Sequence, residues 1–371
     1  MTGFRKPFLF FISVSLYLPS LIANSFNIPS IECSDKHLCA YELQEKLNSY
    51  YNDLSITQSV DKILYDELSR PQIFIPQQNS KITFVITHGL FLDGAQFSSL
   101  YEHLLALDNG PNIISVVLEG HGFDEGNLLD VRYQNWLSSL DNAISMAEQI
   151  GEKIVLVGQS TGGLLSTYMA FKYPEKIDGL ILVEPAIKVA GLIESTACIS
   201  PSLSFDLENF RFLIERFASI PDRRKYISPV TGCEVVRTTR HLEDEFSKKN
   251  LKKHERKHKN PLKWVVDEAR VEEMFKQLNL PIALFNHPHD LVVSPKWNKY
   301  LAKFSKGKLL YKEVNSDKYT PIAREQIDLE TSNQQEINHD LKNIKHGDYI
   351  TIERMTADPD FQKFIQEQFL N

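Results

Sequence analysis

Between residues 81 and 185, short apolar runs alternate with longer stretches in which apolar residues recur every three or four positions. The runs are Lys81–Thr87 (KITFVIT), Asn112–Leu118 (NIISVVL), Lys153–Val157 (KIVLV) and Ile177–Val183 (IDGLILV). Each is short and rich in β-branched residues, without the polar alternation of a strand that has one wet face. They are expected as strands buried on both sides. The stretches between them, Ala95–Leu107, Tyr133–Gln149 and Leu164–Lys172, read as helices. In the second, Trp136, Leu137, Leu140, Ile144 and Ala147 share one face. Strands and helices alternating at this spacing build a mostly parallel sheet with helices on both faces, so the expected fold class is α/β.

The pattern breaks at Pro185. Ile187 to about Asn279 reads as helical and charged, and strand-like runs resume at Pro281–Asn286 (PIALFN) and Lys308–Val314 (KLLYKEV). The middle is therefore expected as an inserted helical cap at about 187–279. Asn315–Lys345 is polar and reads as a long loop, which in a compact domain is often functional. Asp358–Leu370 closes the chain as an amphipathic helix. Upstream, Cys39–Ser69 reads as helical, with Leu43, Leu47, Tyr50 and Tyr51 on one face, before Pro71 and Pro76 interrupt it. The first residues differ in kind. Arg5 and Lys6 precede the apolar run Phe8–Leu18, then Pro19, with Ala23 and Ser25 as small residues suited to cleavage. This predicts a signal peptide over 1–25 and export to a periplasmic or extracellular space. The run is short for a bilayer span of about 20 residues. The expected organisation is 1–25 signal peptide, 26–80 N-terminal helical extension, and 81–371 the α/β domain with its cap.

Composition narrows the partners. A net charge of -7 is the opposite of a nucleic-acid binder's balance, so nucleic acid is not an expected partner. Within this acidic chain the basic run Lys248–Lys259 stands out. It suits either docking on an anionic membrane or a plain solvated helix face. Four cysteines in an exported chain permit disulfides, and proximity favours Cys33–Cys39 and Cys198–Cys233. No CxxC is present to suggest a zinc site.

The chemistry centres on Gly158-Gln159-Ser160-Thr161-Gly162, directly after the strand KIVLV and before a helix. A strand–turn–helix corner of this kind presents the serine Oγ at the carboxyl edge of the sheet. The phosphate-binding patterns GxGxxG and GxxxxGK[ST] are absent. A serine becomes a nucleophile only beside a base, and the base needs an orienting carboxylate. Asp290 follows the strand PIALFN, on the edge where that carboxylate must sit. His346 (KHGD) is the expected base, and His339 (NHD) competes with it. Two backbone N–H groups must meet the oxyanion. Thr161, after the nucleophile, and Leu90, in the loop His88-Gly89-Leu90-Phe91, are the expected donors.

These segments (THGLFLDGAQF, LEGHG, VRYQNW, VGQSTGG, ILVEPA and HPHDLVVSP) resemble the α/β-hydrolase superfamily. Within it, the chain is most similar to the branch of monoacylglycerol lipases, lysophospholipases, carboxylesterases and serine aminopeptidases. The resemblance covers roughly Lys81–Pro185 and Pro281–Leu370. It implies a serine hydrolase with no cofactor or metal, acting on a small-molecule or lipid ester. The chain departs from the family between Val314 and His346, where an inserted loop delays the histidine. Phe205, Phe210, Phe212, Leu213, Ile214 and Phe217 would give the cap an apolar roof, or simply a packed face. An aminopeptidase would need a carboxylate for the substrate amine, with Glu208, Glu215, Glu243 and Asp244 as candidates. A non-catalytic binding protein and an acyl transferase on the same scaffold are the other readings.

Overall fold

A computed structural model describes residues 71–75, 80–107, 110–122, 128, 130–191, 194, 198, 205–206, 226–227, 229–247, 268–315, 318–329, 346 and 349–371. The signal peptide, the helical extension, Cys33 and Cys39, the basic run Lys248–Lys259 and His339 lie outside these residues. So do the side chains of the phenylalanine-rich cap segment.

The strands are β1 (Gln72–Phe74), β2 (Ile82–Thr87), β3 (Asn112–Val116), β4 (Lys153–Gln159), β5 (Gly179–Val183), β6 (Phe205–Asp206), β7 (Tyr226–Ile227), β8 (Ile282–Asn286), β9 (Leu309–Asn315) and β10 (Lys318–Pro321). The helices are α1 (Ser98–Leu105), α2 (Tyr133–Ile150), α3 (Thr161–Lys172), α4 (Pro229–Phe246), α5 (Glu268–Phe275), α6 (Pro295–Phe304), α7 (Tyr349–Thr356) and α8 (Pro359–Ile365). Eight strands form one sheet in the order β1-β3-β2-β4-β5-β8-β9-β10. From β3 to β9 every pairing is parallel. This is the mostly parallel, helix-covered sheet of an α/β-hydrolase fold.

Alternate residues of each strand feed two separate cores, which is why the runs look continuously apolar. Val85, Ile114, Leu156, Leu182 and Leu284 face α2, α3 and α6 through Leu140, Leu165 and Leu301. Phe84, Ile113, Val157, Ile181 and Phe285 face α1, α7 and α8 through Leu104, Met355 and Phe361. Burying side chains on both faces leaves no position for alternating polar residues.

The short edge elements depart from expectation. β1, beside Pro71, pairs antiparallel with β3, and β10 pairs antiparallel with β9 inside the stretch expected as loop. The middle segment contains α4 and α5, as expected, but also a two-stranded ribbon of β6 and β7. Helix α3 starts at Thr161, earlier than its apolar pattern, because Gly162 and Gly163 belong to the helix rather than to a turn. Cys198 is disulfide-bonded to Cys233 in α4. Among the described residues no helix is long and apolar enough to cross a membrane.

Candidate active site

The site is assembled at the carboxyl ends of β2, β4, β5 and β8. Ser160 occupies the corner between β4 and α3 with φ 50 and ψ -115. Residues with a side chain rarely adopt this backbone, and such strain concentrates at functional positions. The corner is held on both sides. Ser160 N–H donates to Val183 O (3.0 Å), and Ser160 O accepts from Leu164 N–H (3.0 Å) and Ala186 N–H (2.8 Å). The flanking glycines serve close approach. A Cβ at Gly162 would lie 2.1 Å from Thr87 O, and one at Gly158 would lie 2.4 Å from Gly162 O. Only without them does the helix seat its first turn against β2.

Ser160 Oγ lies 2.6 Å from His346 Nε2. His346 Nδ1 lies 2.7 Å from Asp290 Oδ2. The other Asp290 oxygen accepts from Val292 N–H (2.7 Å) and Val293 N–H (3.0 Å) in the loop after β8. Ser160, Asp290 and His346 therefore form one hydrogen-bonded chain, from residues 56 and 186 positions apart. Burial pushes the His346 pKa down, but the Asp290 charge and hydrogen bond, with Glu184 adding to them, leave it above the ordinary imidazole value. Burial raises the Asp290 pKa, but His346 and the two amides bring it below the ordinary carboxylate value. The two shifts are opposite sides of one ion pair.

The loop after β2 carries Leu90 beside Ser160. His88, fully buried, has Nδ1 2.7 Å from Gly89 O, and its Nε2 accepts from Leu118 N–H at 3.0 Å. That pattern places the proton on Nδ1 of a neutral ring. Gly89 N–H donates to Gln96 Oε1 (3.0 Å), and Phe91 turns the loop at φ 64. Leu90 and Thr161 both line the cavity above Ser160.

That cavity has a volume of about 100 Å³. Beside Ser160 and His346, its described walls are mainly Leu90, Phe91, Leu92, Ala186, Val189, Val235, Val292 and Val293. Val189 and Val293 form a β-bridge that joins the chain after β5 to the loop after β8. Val235 and Gly232 come from α4, so the middle segment covers the nucleophile.

The serine aminopeptidase S33 family model matches residues 78–320 of the 371. The chain belongs to the serine aminopeptidase S33 family. It is an enzyme of the hydrolase class. The match includes Ser160 and Asp290 and stops before His346. A pimeloyl-[acyl-carrier protein] methyl ester esterase from Shewanella sp. (strain MR-7) is 29% identical over 114 residues. That alignment covers 31% of this chain and 39% of the length of that relative. Among solved structures, Est1E from Butyrivibrio proteoclasticus with bound ferulic acid shares 16% identity (TM-score 0.49, covering 81% of this chain and 96% of that one). The Paleococcus ferrophilus monoacylglycerol lipase shares 19% identity (TM-score 0.45, covering 66% and 89%).

In this S33-family chain, two of the four candidate amine-binding carboxylates, Glu243 and Asp244, are among the described residues, and neither lines the cavity. Glu243 is buried and ion-paired with Lys188 at 3.2 Å, and Lys188 also reaches Glu194 at 2.9 Å. Asp244 is not among the described lining residues, and Glu208 and Glu215 lie outside the described residues. Sequence reasoning passed over Glu184, whose Oε2 lies 3.6 Å from His346 Nδ1. Its signal was available: in ILVEPA, a charged residue directly ends an apolar buried strand. Glu184, Asp290 and His346 also have donor atoms within 4.8 Å of one another, close enough for metal ligation. His346 Nδ1 is already committed to Asp290, which makes the group an acid–base pair first.

Proposed function

We propose that the protein is a serine hydrolase that cleaves carboxylic esters with an apolar acyl group, of the lysophospholipase, monoacylglycerol lipase or carboxylesterase type. The observation that carries this reading is the continuous contact from Ser160 Oγ through His346 to Asp290 at 2.6 and 2.7 Å, beneath an apolar cavity. Ser160 Oγ attacks the ester carbonyl carbon, and its proton passes to His346 Nε2. The Leu90 and Thr161 N–H groups receive the developing oxyanion. The intermediate collapses as His346 returns the proton to the leaving alcohol oxygen. Water, deprotonated by the same imidazole, then releases the acid from Ser160. Asp290 stays ionised throughout and holds the imidazolium.

The apolar character of the described cavity wall is what supports ester over peptide cleavage in this reading. The partial relative named as a methyl ester esterase agrees with this preference. Membrane docking through Lys248–Lys259 would bring the site to lipid substrate. Export is supported by the Cys198–Cys233 disulfide, a bond that persists in oxidising compartments. The test is fluorophosphonate labelling of the mature protein, followed by a comparison of p-nitrophenyl esters with aminoacyl-arylamides. Labelling of Ser160 with turnover of esters is expected. Preferential turnover of arylamides would replace this reading with the aminopeptidase one.

A further inference from the structure

Strand β5 is followed directly by Glu184, which the mechanism above does not use. Its backbone turns at φ 45, and its N–H donates to Phe285 O at 2.8 Å. Its residue exposure is 1%. β5 and β8 pair in parallel through Leu180↔Ile282 to Val183↔Phe285, so Glu184 and Asp290 rise from the same edge of neighbouring strands. They converge on one atom. His346 Nδ1 lies 2.7 Å from Asp290 Oδ2 and 3.6 Å from Glu184 Oε2. Among the described residues, the titratable groups facing this imidazole are these two carboxylates, with the Ser160 hydroxyl on its Nε2 side.

A second carboxylate in so buried a place is costly to desolvate. With His346 neutral, two negative charges face an uncharged ring. With His346 protonated, the imidazolium offsets one of them. The surroundings therefore favour the protonated ring, the state reached as Ser160 Oγ bonds to the carbonyl carbon and its proton arrives on Nε2. We propose that Glu184 is a positioning residue for His346, a second carboxylate that steadies the imidazolium and keeps the ring aimed at Ser160 when Asp290 is lost. The proposal rests on the serine-hydrolase reading for its catalytic consequence, while the charge relation to His346 stands on the geometry.

The experiment uses the full-length protein and the variants Glu184→Gln, Asp290→Asn and the double variant. Fluorophosphonate labelling rates are followed against pH, and the His346 imidazole is titrated by NMR, assigned by its loss in His346→Gln. Glu184→Gln keeps the side-chain shape and removes the charge. It is expected to lower the labelling rate several-fold and to move both the acid limb and the NMR titration of His346 to lower pH. Asp290→Asn is expected to label roughly tenfold faster than the double variant, a larger factor than Glu184→Gln costs in the wild type, as expected when one carboxylate stands in for the other. An unmoved His346 titration in Glu184→Gln, with Asp290→Asn and the double variant equally slow, would overturn the proposal. Should Glu184→Gln fail to fold, Glu184→Ser, which admits water in place of the carboxylate, is read in the same way. A folded wild type that never labels would sink the hydrolase reading, and the NMR titration would still decide whether Glu184 acts on His346.

Discussion

At the scale of single residues, function and strain coincide. Among the described residues, the three non-glycine positions with positive φ are Phe91, Ser160 and Glu184. Each belongs to the loop or corner around the nucleophile. Ser160→Ala keeps the backbone and removes the attacking oxygen. Its labelling and esterase rates are expected to fall by about 10⁴ or more, with an unchanged melting curve. The pH dependence follows from the ion pair. His346 must be neutral to accept a proton, and its pKa is raised. The acid limb of the labelling rate is therefore expected above the ordinary histidine value of about 6.5. The pair also links stability to pH. The His346 contribution is present below the ordinary imidazole pKa and is lost as pH rises through the raised one. The Asp290 contribution is present above the ordinary carboxylate pKa and is lost as pH falls through the depressed one. An acid limb below that of free histidine would contradict this account. Ser160 was legible because a strand, a glycine corner and a helix announce it locally. His346 was preferred to His339 only by its place before the closing helix and the glycine after it, because its contact with Ser160 spans 186 positions.

At the scale of elements, the central strands were legible because five or six consecutive buried positions leave a nearly continuous apolar run. β1 and β10, with three and four residues, are too short to carry a period and exist by pairing at the sheet's two edges. Helix α4 links the cap to the site. Val235 projects from it into the cavity, and Cys233 ties it to Cys198 across 35 positions. Val235→Phe is expected to narrow the acyl space. The loss in kcat/KM for longer p-nitrophenyl esters should reach about tenfold, with short esters little affected. An unchanged chain-length profile would place the acyl group elsewhere. Replacing Cys233 by Ser removes a cross-link whose closed loop implies about 3–4 kcal/mol of stabilisation. A lowered melting temperature is expected, and reductant should reproduce it in the wild type.

At the scale of the whole molecule, two cores share one sheet, and the last helices close the second. Lys312 on β9, almost fully buried, joins them to the sheet by binding both Asp358 oxygens at 2.6 and 2.7 Å and Asp360 at 2.7 Å. Lys312→Met leaves the Asp358 carboxylate without this partner. It should destabilise the fold by about 3 kcal/mol in chemical denaturation, while the labelling rate of the folded protein is retained. The layered sheet was legible in the sequence because its apolar rhythm is repeated in every unit. The closing ion pairs were not, since Lys312 reads locally as a surface position in KLLYKEV and is enclosed only by residues 46 and 48 positions later.

The order of the three acting side chains along the chain has a consequence in time. Ser160 emerges first during synthesis, Asp290 later, and His346 only 186 residues after the serine. At ordinary synthesis rates that interval is roughly ten to forty seconds. Throughout it the newborn chain displays a serine with no base to arm it. A hydrolase assembled in this order stays without its base until His346 has been made and has reached Ser160.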